Sequence, residues 1–224
     1  DKRDPLRGGI IELSQSLADR AKEDPQRFYL LALRSIEDVD ASYLVAILSG
    51  VAASDAASNY VYDLARVLAG KLEGEHRIGF CRAIRECSKR NPVPDDLLDL
   101  MTVWACNDPD PTDHAWEPLG EGEEHQIASD ALTRAINSVR GVALETVIRG
   151  SFSHKPPQVE RAFALLEQAA LDSSDAVRAG VVHQLARVLR HDEDRAINIL
   201  ASALSGRPRL RQEDVTHQVL SWLY

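Results

Sequence analysis

Aromatic side chains are scarce in this chain, 5% of its 224 residues, and that scarcity is the first constraint on its fold. Sheet cores draw on aromatic and β-branched residues. Here Ala, Leu and Val fill the apolar positions instead, a mix that suits close helix–helix packing. Long apolar runs are also missing. None approaches the roughly 18 residues of a membrane span, and the opening Asp1-Lys2-Arg3-Asp4-Pro5 does not resemble a signal peptide. Cysteine numbers three, an odd count without paired spacing. That excludes the usual secreted disulfide scaffold and points to a reducing cytoplasm. Basic residues vanish between Arg90 and Arg134, where eleven acidic side chains fall and no Lys or Arg does. The net charge is −9. With the remaining charges near balance, no global field holds a polyanion, which argues against general nucleic-acid binding.

What is present repeats at the helical period. Val61, Leu64, Leu68 and Leu72 step by three and four, which places them on one helix face. Ile78, Cys81, Ile84 and Ser88 follow the same spacing, as do Leu97, Met101, Trp104 and Ala105 behind the Pro94-Asp95 helix start. Asp24-Pro25 opens a short helix carrying Phe28, Leu31 and Ala32. No stretch alternates at period two. The fold class is therefore all-α, with about ten or eleven helices. A long helix is expected within 125–155, because Ile127, Ala131, Ala135, Val139, Ala143 and Val147 keep one apolar phase. Asn137-Ser138 could instead cap a new helix, since both are good cap residues; the unbroken phase favours continuity.

The C-terminal third contains an internal repeat. Arg161–Leu171 matches Arg195–Leu204 at an offset of 34, pairing Phe163 with Ile197, Leu166 with Leu200 and Ala169 with Ala203. Asp175–Leu185 aligns with Glu213–Leu223 at an offset of 38, pairing Val177 with Val215, Val181 with Val219 and Leu185 with Leu223. A two-helix unit recurring at that spacing is the signature of an α-solenoid of paired antiparallel helices. Val177-Arg178 after Ser174-Asp175 resembles the start of the second helix of HEAT repeats, and Val139-Arg140 looks like a degenerate copy a further 38 residues back. Arg140 and Arg178 are read as scaffold residues, each pairing with an acid or carbonyl of the preceding unit. The expected layout is one domain, 1–224, with irregular helical pairs over 1–106, an acidic loop over 107–124, the long helix, and two HEAT-like repeats over 156–224.

Ala135-Ile136-Asn137-Ser138-Val139-Arg140-Gly141, with Asp24-Pro25-Gln26-Arg27-Phe28 upstream, resembles the helical C-terminal portions of large bacterial NACHT/STAND-type ATP-binding proteins. The resemblance implies a region that senses ligands or partners for an upstream nucleotide switch, within a larger protein. The switch itself is not in this sequence. No G-x-x-x-x-G-K-[ST] occurs, and Gly70-Lys71-Leu72 lacks the hydroxyl that Mg²⁺ requires.

Three groups of residues invite functional labels. The loop from Asn107 to Glu124 carries Asp108, Asp110 and Asp113 but fails the EF-hand pattern, since Asp113 stands where Gly is needed and Leu119 where the bidentate Glu belongs. It reads as a solvated loop, or as a partner-binding loop in which Trp116 is the anchor beside His114, Asp113 and Glu117. Cys81 and Cys87 lie on or near an apolar stripe, Cys106 has no nearby His, and the histidines lack i, i+4 pairs. No catalytic residue, metal site or cofactor is therefore assigned. Arg82, Arg85 and Lys89 on one helix, and Arg207, Arg209 and Arg211 in a loop, form two basic clusters. These either complement helix ends or, sharing one surface, line a phosphate track. The function expected is a non-catalytic protein-recognition, sensor or scaffold region of a larger bacterial protein; the alternative is a HEAT-like nucleic-acid-binding module of the DNA-repair kind. The last helix is apolar to its end at Val219, Leu220, Trp222 and Leu223, which suggests that the chain is a fragment able to self-associate there.

Overall fold

The computed structural model describes residues 9–56, 58–111 and 131–221. Among the described residues the chain is all-helical, with twelve α-helices and one 3-10 helix, and no strand. The chain divides into two compact units, Asp1–Leu98 and Asp99–Tyr224.

The first unit holds α1 (Ile10–Glu23), α2 (Pro25–Arg34), α3 (Ala41–Ala53), α4 (Ser58–Ala69), α5 (Glu75–Ser88) and the start of α6 (Asp95–Asn107). Its centre is α3, which packs against α1, α2, α4 and α5. The sequence Ala41-Ser42-Tyr43-Leu44-Val45-Ala46-Ile47-Leu48 is apolar on nearly every side, as a helix surrounded by others must be. Asp40 caps its start, accepting from the Ser42 N–H at 2.8 Å. Gly50 lets α1 approach closely, since a Cβ there would lie 2.2 Å from the Ala18 carbonyl oxygen. The end of α3 is closed by Arg90, which donates to the carbonyls of Ala52 and Ser54. Asp24 caps α2 by accepting from the Arg27 N–H at 3.3 Å, with Pro25 in the first turn. The helix start read from Asp24-Pro25 is thus a helix start.

The second unit contains the rest of α6, then α7 (Ala131–Ile136), α8 (Val139–Ser151), α9 (Val159–Ala169), α10 (Asp175–Val188), α11 (Glu193–Leu204) and α12 (Asp214–Leu220), with the 3-10 helix Leu210–Gln212 before α12. Here α10 is central, in contact with α7, α8, α9, α11 and α12. Its residues from Ala176 to Val182 are all buried.

The repeat pairs can be compared directly. Val177 and Val215 are both buried, as are Val181 and Val219, while Leu223 lies outside the described residues. Leu166 and Leu200, and Ala169 and Ala203, are buried pairs too. Phe163 and Ile197 differ. Phe163 is 1% exposed and Ile197 40% exposed. The other pairs fix the helical phase, so the difference lies in what covers the position. Over Phe163 sits the Arg195 guanidinium of α11, 4.5 Å from the ring centroid, held there by Glu160 and Glu167. The equivalent position on α11 keeps part of its surface open.

The single helix expected within 125–155 is two helices. α7 ends at Ile136 and α8 begins at Val139, and Asn137-Ser138 is the junction. Ser138 accepts from the Gly141 N–H at 3.2 Å and donates to the Ala135 carbonyl at 3.1 Å. Asp110 adds a second cap, its Oδ2 accepting from the Val139 N–H at 2.7 Å and its carbonyl from the Arg140 N–H at 3.2 Å. The apolar phase survives the break because both helices bury that side. Periodicity alone does not see a junction that preserves phase. At this turn Gly141 has no room for a side chain, because a Cβ would stand 2.0 Å from the Ala135 carbonyl oxygen. Gly141→Ala is therefore expected to cost about 1–3 kcal/mol by forcing α7 from α8, and Ser138→Ala about 1 kcal/mol by loss of a cap. Denaturant melts check both. Equal stability of Gly141→Ala and wild type would show that the junction yields.

Candidate functional site

Two arginines at the starts of α8 and α10 organise the second unit. Arg140 donates to the Ala105 carbonyl at the end of α6 through Nε at 3.3 Å and forms an ion pair with Asp172. Arg178 is 9% exposed; its Nη1 donates to the carbonyls of Ser202, Ala203 and Ser205 at 3.1, 3.2 and 3.2 Å, and its Nε to the Asp172 carbonyl. Burial, with Arg207 nearby, pulls the Arg178 guanidinium below its ordinary pKa. The expectation of partners in the preceding unit needs correction. Arg178 reaches forward to the end of α11, and Arg140 reaches both back to α6 and forward to Asp172. Asp172 joins them, its Oδ1 also accepting from the Ser174 N–H at 2.8 Å. These are helix-end contacts, and they hold the second helices in register.

The surfaces left over by this packing are narrow. On α8, between Gly141 and Ser151, only Glu145 and Arg149 are not buried. On α10, between Ala176 and Val188, only His183, Ala186 and Arg187 are not buried. Glu145 and His183 are 38 residues apart, and so are Arg149 and Arg187, which is the spacing of Arg140 and Arg178. These positions form a stripe of unburied side chains on two helices that pack together. Glu145 accepts from Arg149 Nε at 2.8 Å, with the two side chains 12% and 35% exposed. Arg187 Nε donates to Gln184 Oε1 at 2.9 Å. Beyond the stripe, Phe152 stacks on His191 at 5.0 Å between ring centroids.

His183 is the electrostatic centre of this stripe. Its Nδ1 is shielded from solvent and has no hydrogen-bond partner among the described residues. A buried polar atom left unpaired costs roughly 1–3 kcal/mol. Burial pushes the imidazole below its ordinary pKa of 6.5; Glu145 pulls it up, and Arg187 and Arg149 push it further down. His183 is half-buried. Glu145, Arg149 and Arg187 were not singled out from the sequence. Extending the Val-Arg alignment at offset 38 along both helices would have found them.

The other candidates separate. Trp116, His114, Asp113 and Glu117 lie outside the described residues. Asp108 and Asp110 do not behave as a cation loop. Asp108 is buried and accepts from the Asp110 N–H at 3.0 Å, while Asp110 caps α8. No group of side chains suited to a metal occurs among the described residues. Arg82, Arg85 and Lys89 belong to the first unit, and Arg207, Arg209 and Arg211 to the second. Several are used locally. Lys89 pairs with Glu86, Arg207 lies 3.2 Å from Asp175 and donates to the Ser173 carbonyl at 2.6 Å, and Arg211 donates to the Leu204 carbonyl at 3.2 Å. Arg85 falls in the last turn of α5, where positive charge complements the helix dipole. Cys81 and Cys87 are buried. Burial pushes the Cys87 and Cys106 thiols up, away from the nucleophilic thiolate. No described helix is long and apolar enough to cross a membrane.

No family model, curated protein or solved structure matches the chain.

The environment of His183 predicts an acid sensitivity. Its folded pKa lies below that of the unfolded chain, so as pH falls through about 6.5 the unfolded state takes the proton first. Folding stability is thus expected to drop on acidification below that point, and His183→Gln to flatten the drop. Denaturant melts between pH 7.5 and 5 read the difference. Parallel curves for the two proteins would show that His183 protonates without penalty.

Proposed function

We propose that this chain is a non-catalytic recognition region, built of HEAT-like helix pairs in a solenoid arrangement, that binds a protein partner. The observation that carries this reading is the stripe of Glu145, Arg149, His183, Ala186 and Arg187. Glu145 with His183, and Arg149 with Arg187, are pairs of positions 38 residues apart left unburied on two otherwise buried helices, and three of the four carry charge, while Ala186 has a buried counterpart in Ile148. Adjacent helices that present equivalent side chains offer an extended surface, which suits a macromolecule better than a small substrate. Small-molecule sites are concave and largely apolar, and this stripe is neither enclosed nor apolar. Elsewhere in the chain, burial raises the thiols of Cys87 and Cys106, which does not favour a thiolate nucleophile.

The nucleic-acid alternative has less support. Lys89, Arg207 and Arg211 spend contacts on neighbouring acids and carbonyls, and phosphate binding needs a run of available cations. The likeness of Ala135–Gly141 and Asp24–Phe28 to NACHT/STAND-type helical regions is compatible with a sensor role in a larger bacterial, cytoplasmic protein. Both segments also have local roles, as the α7–α8 junction and the cap of α2, so the likeness adds context and does not carry the reading.

The test places a benzophenone side chain at Ala186, on the stripe, or at Gln168, exposed on α9. Irradiation in native cells is expected to give a discrete protein cross-link from position 186 and not from 168, lost when Arg187→Glu is added. Equal cross-linking from both positions would overturn the assignment. So would retention of a duplex of about 20 base pairs at low salt with loss on adding salt, the mark of phosphate binding.

A further inference from the structure

We propose that the outer face of α2 docks an acidic amphipathic helix of a partner protein. This contact lies in the first unit and is independent of the α8–α10 stripe. The exposed residues of α2 are Gln26, Arg27, Leu30, Leu31 and Arg34, and the helix packs against α1, α3 and α4. Positions 27, 30, 31 and 34 step by three and four, so they share one helix face. Leu30 and Leu31 are 42% and 45% exposed. An open hollow of about 430 Å³ is lined by these four residues with Asp24 and Gln26, which brings both arginines and both leucines to one site. Outside α1 and α2, Val67 is the only large apolar residue exposed among the described residues of the first unit.

The arginines at the two ends of this face are available. Neither side chain forms a hydrogen bond or an ion pair among the described residues. Asp24, the one acid in the lining, is engaged as the cap of α2, accepting from the Arg27 backbone N–H at 3.3 Å. Arg34 stands in the last turn, where a cation complements the helix dipole. Arg27 stands in the first turn, where the dipole opposes it and no acidic residue shares the turn. An anion from outside the chain answers that placement. Seven residues of helix set the two arginines about 10.5 Å apart along the axis. The same spacing on a facing helix puts two carboxylates opposite them, with two apolar residues between to meet Leu30 and Leu31. The pattern Glu-x-x-Leu-Leu-x-x-Glu fits, and it reads alike in both chain directions. A second copy of this chain fits poorly, because two-fold pairing of α2 with itself, centred on the leucines, sets arginine against arginine. A nucleic-acid backbone calls for cations in series, without leucines between them.

The probe is an alanine-rich helical peptide carrying Glu-x-x-Leu-Leu-x-x-Glu, titrated to millimolar concentration into the full chain labelled with ¹³C at its leucine methyls. NMR reads Leu30 and Leu31, each identified by the loss of its signal in Leu30→Met or Leu31→Met. Saturable shifts in both are expected, with Arg27→Gln and Arg34→Gln each weakening binding by about fivefold, the upper scale of one exposed ion pair. A peptide with Lys in place of both Glu should leave the signals unmoved. Arg20→Gln on α1, where Arg20 pairs with Glu23, should leave the affinity unchanged. The proposal is overturned if the Glu peptide moves neither signal, or if both arginine substitutions leave its affinity as it was. Saturation of the same signals by hexathymidylate at lower concentration overturns it too. A dimer that Leu31→Glu dissociates would give the face to a second copy. Pelleting with phosphatidylglycerol vesicles that Leu31→Glu abolishes would give it to a lipid surface; either result also overturns the proposal. A cross-link at position 186 bears on the stripe alone, so the two readings stand or fall separately.

Discussion

Helix ends buried in protein are the constraint from which the second unit is built. The last carbonyls of a helix have no partner within it, and burying them unpaired is costly. In this unit α6 ends at the guanidinium of Arg140 and α11 ends at that of Arg178. A positive charge there also complements the negative end of the helix dipole. Asp172 then neutralises Arg140, and its carbonyl takes a bond from Arg178. The first unit solves the same problem with a different residue, Arg90 at the end of α3. Long-range arginine–carbonyl contacts thus fix where helices stop, and with that which faces of α8 and α10 pack together.

That fixed packing explains why the accessible stripe is so narrow. Once α10 is surrounded by five helices, almost every side chain on it must be apolar or small. Gly180, Ala176 and Ala179 meet that demand, and Gln184 meets it by bonding to Arg187. His183 is the exception. It remains where an imidazole nitrogen is shielded without a partner, next to two guanidinium groups. A residue that breaks the local rules of burial in this way costs stability, and such departures concentrate where function is carried.

Much of the fold was legible in the sequence because helical periodicity is a direct record of burial. Val61, Leu64, Leu68 and Leu72 are all buried in α4 and the turn after it, while of Ile78, Cys81, Ile84 and Ser88 in α5 only Cys81 and Ile84 are buried and the other two are half-buried. The pairs Val177 with Val215 and Val181 with Val219, aligned at an offset of 38, are buried on both sides. The α7–α8 break was not read, because a cap that keeps the apolar phase leaves no gap in the pattern. Only the chemistry of Ser138 and the absence of a side chain at Gly141 mark it. The inequality of Phe163 and Ile197 was equally invisible, since it depends on Arg195 of a later helix reaching back over the ring. No residue of the stripe stood out in the sequence. Glu145, Arg149 and Arg187 look like ordinary surface charges until the repeat spacing is carried through to positions that face outward.

The same spacing of 38 recurs at two pairs of arginines. At Arg140 and Arg178 it repeats a helix-end contact that points inward. At Arg149 and Arg187, two and a half turns further along the same helices, it repeats a charge that points outward. Helices locked by the first pair hold the second pair at a fixed separation, without the ordering cost that a loop would bear on binding. Side chains presented from packed helices are also placed more closely than those on loops. A change at Arg140 or Arg178 would therefore reach the stripe through the backbone, with no direct contact. Rigid presentation, more than the identity of any one charge, is what the packed pair α8 and α10 supplies at Arg149 and Arg187.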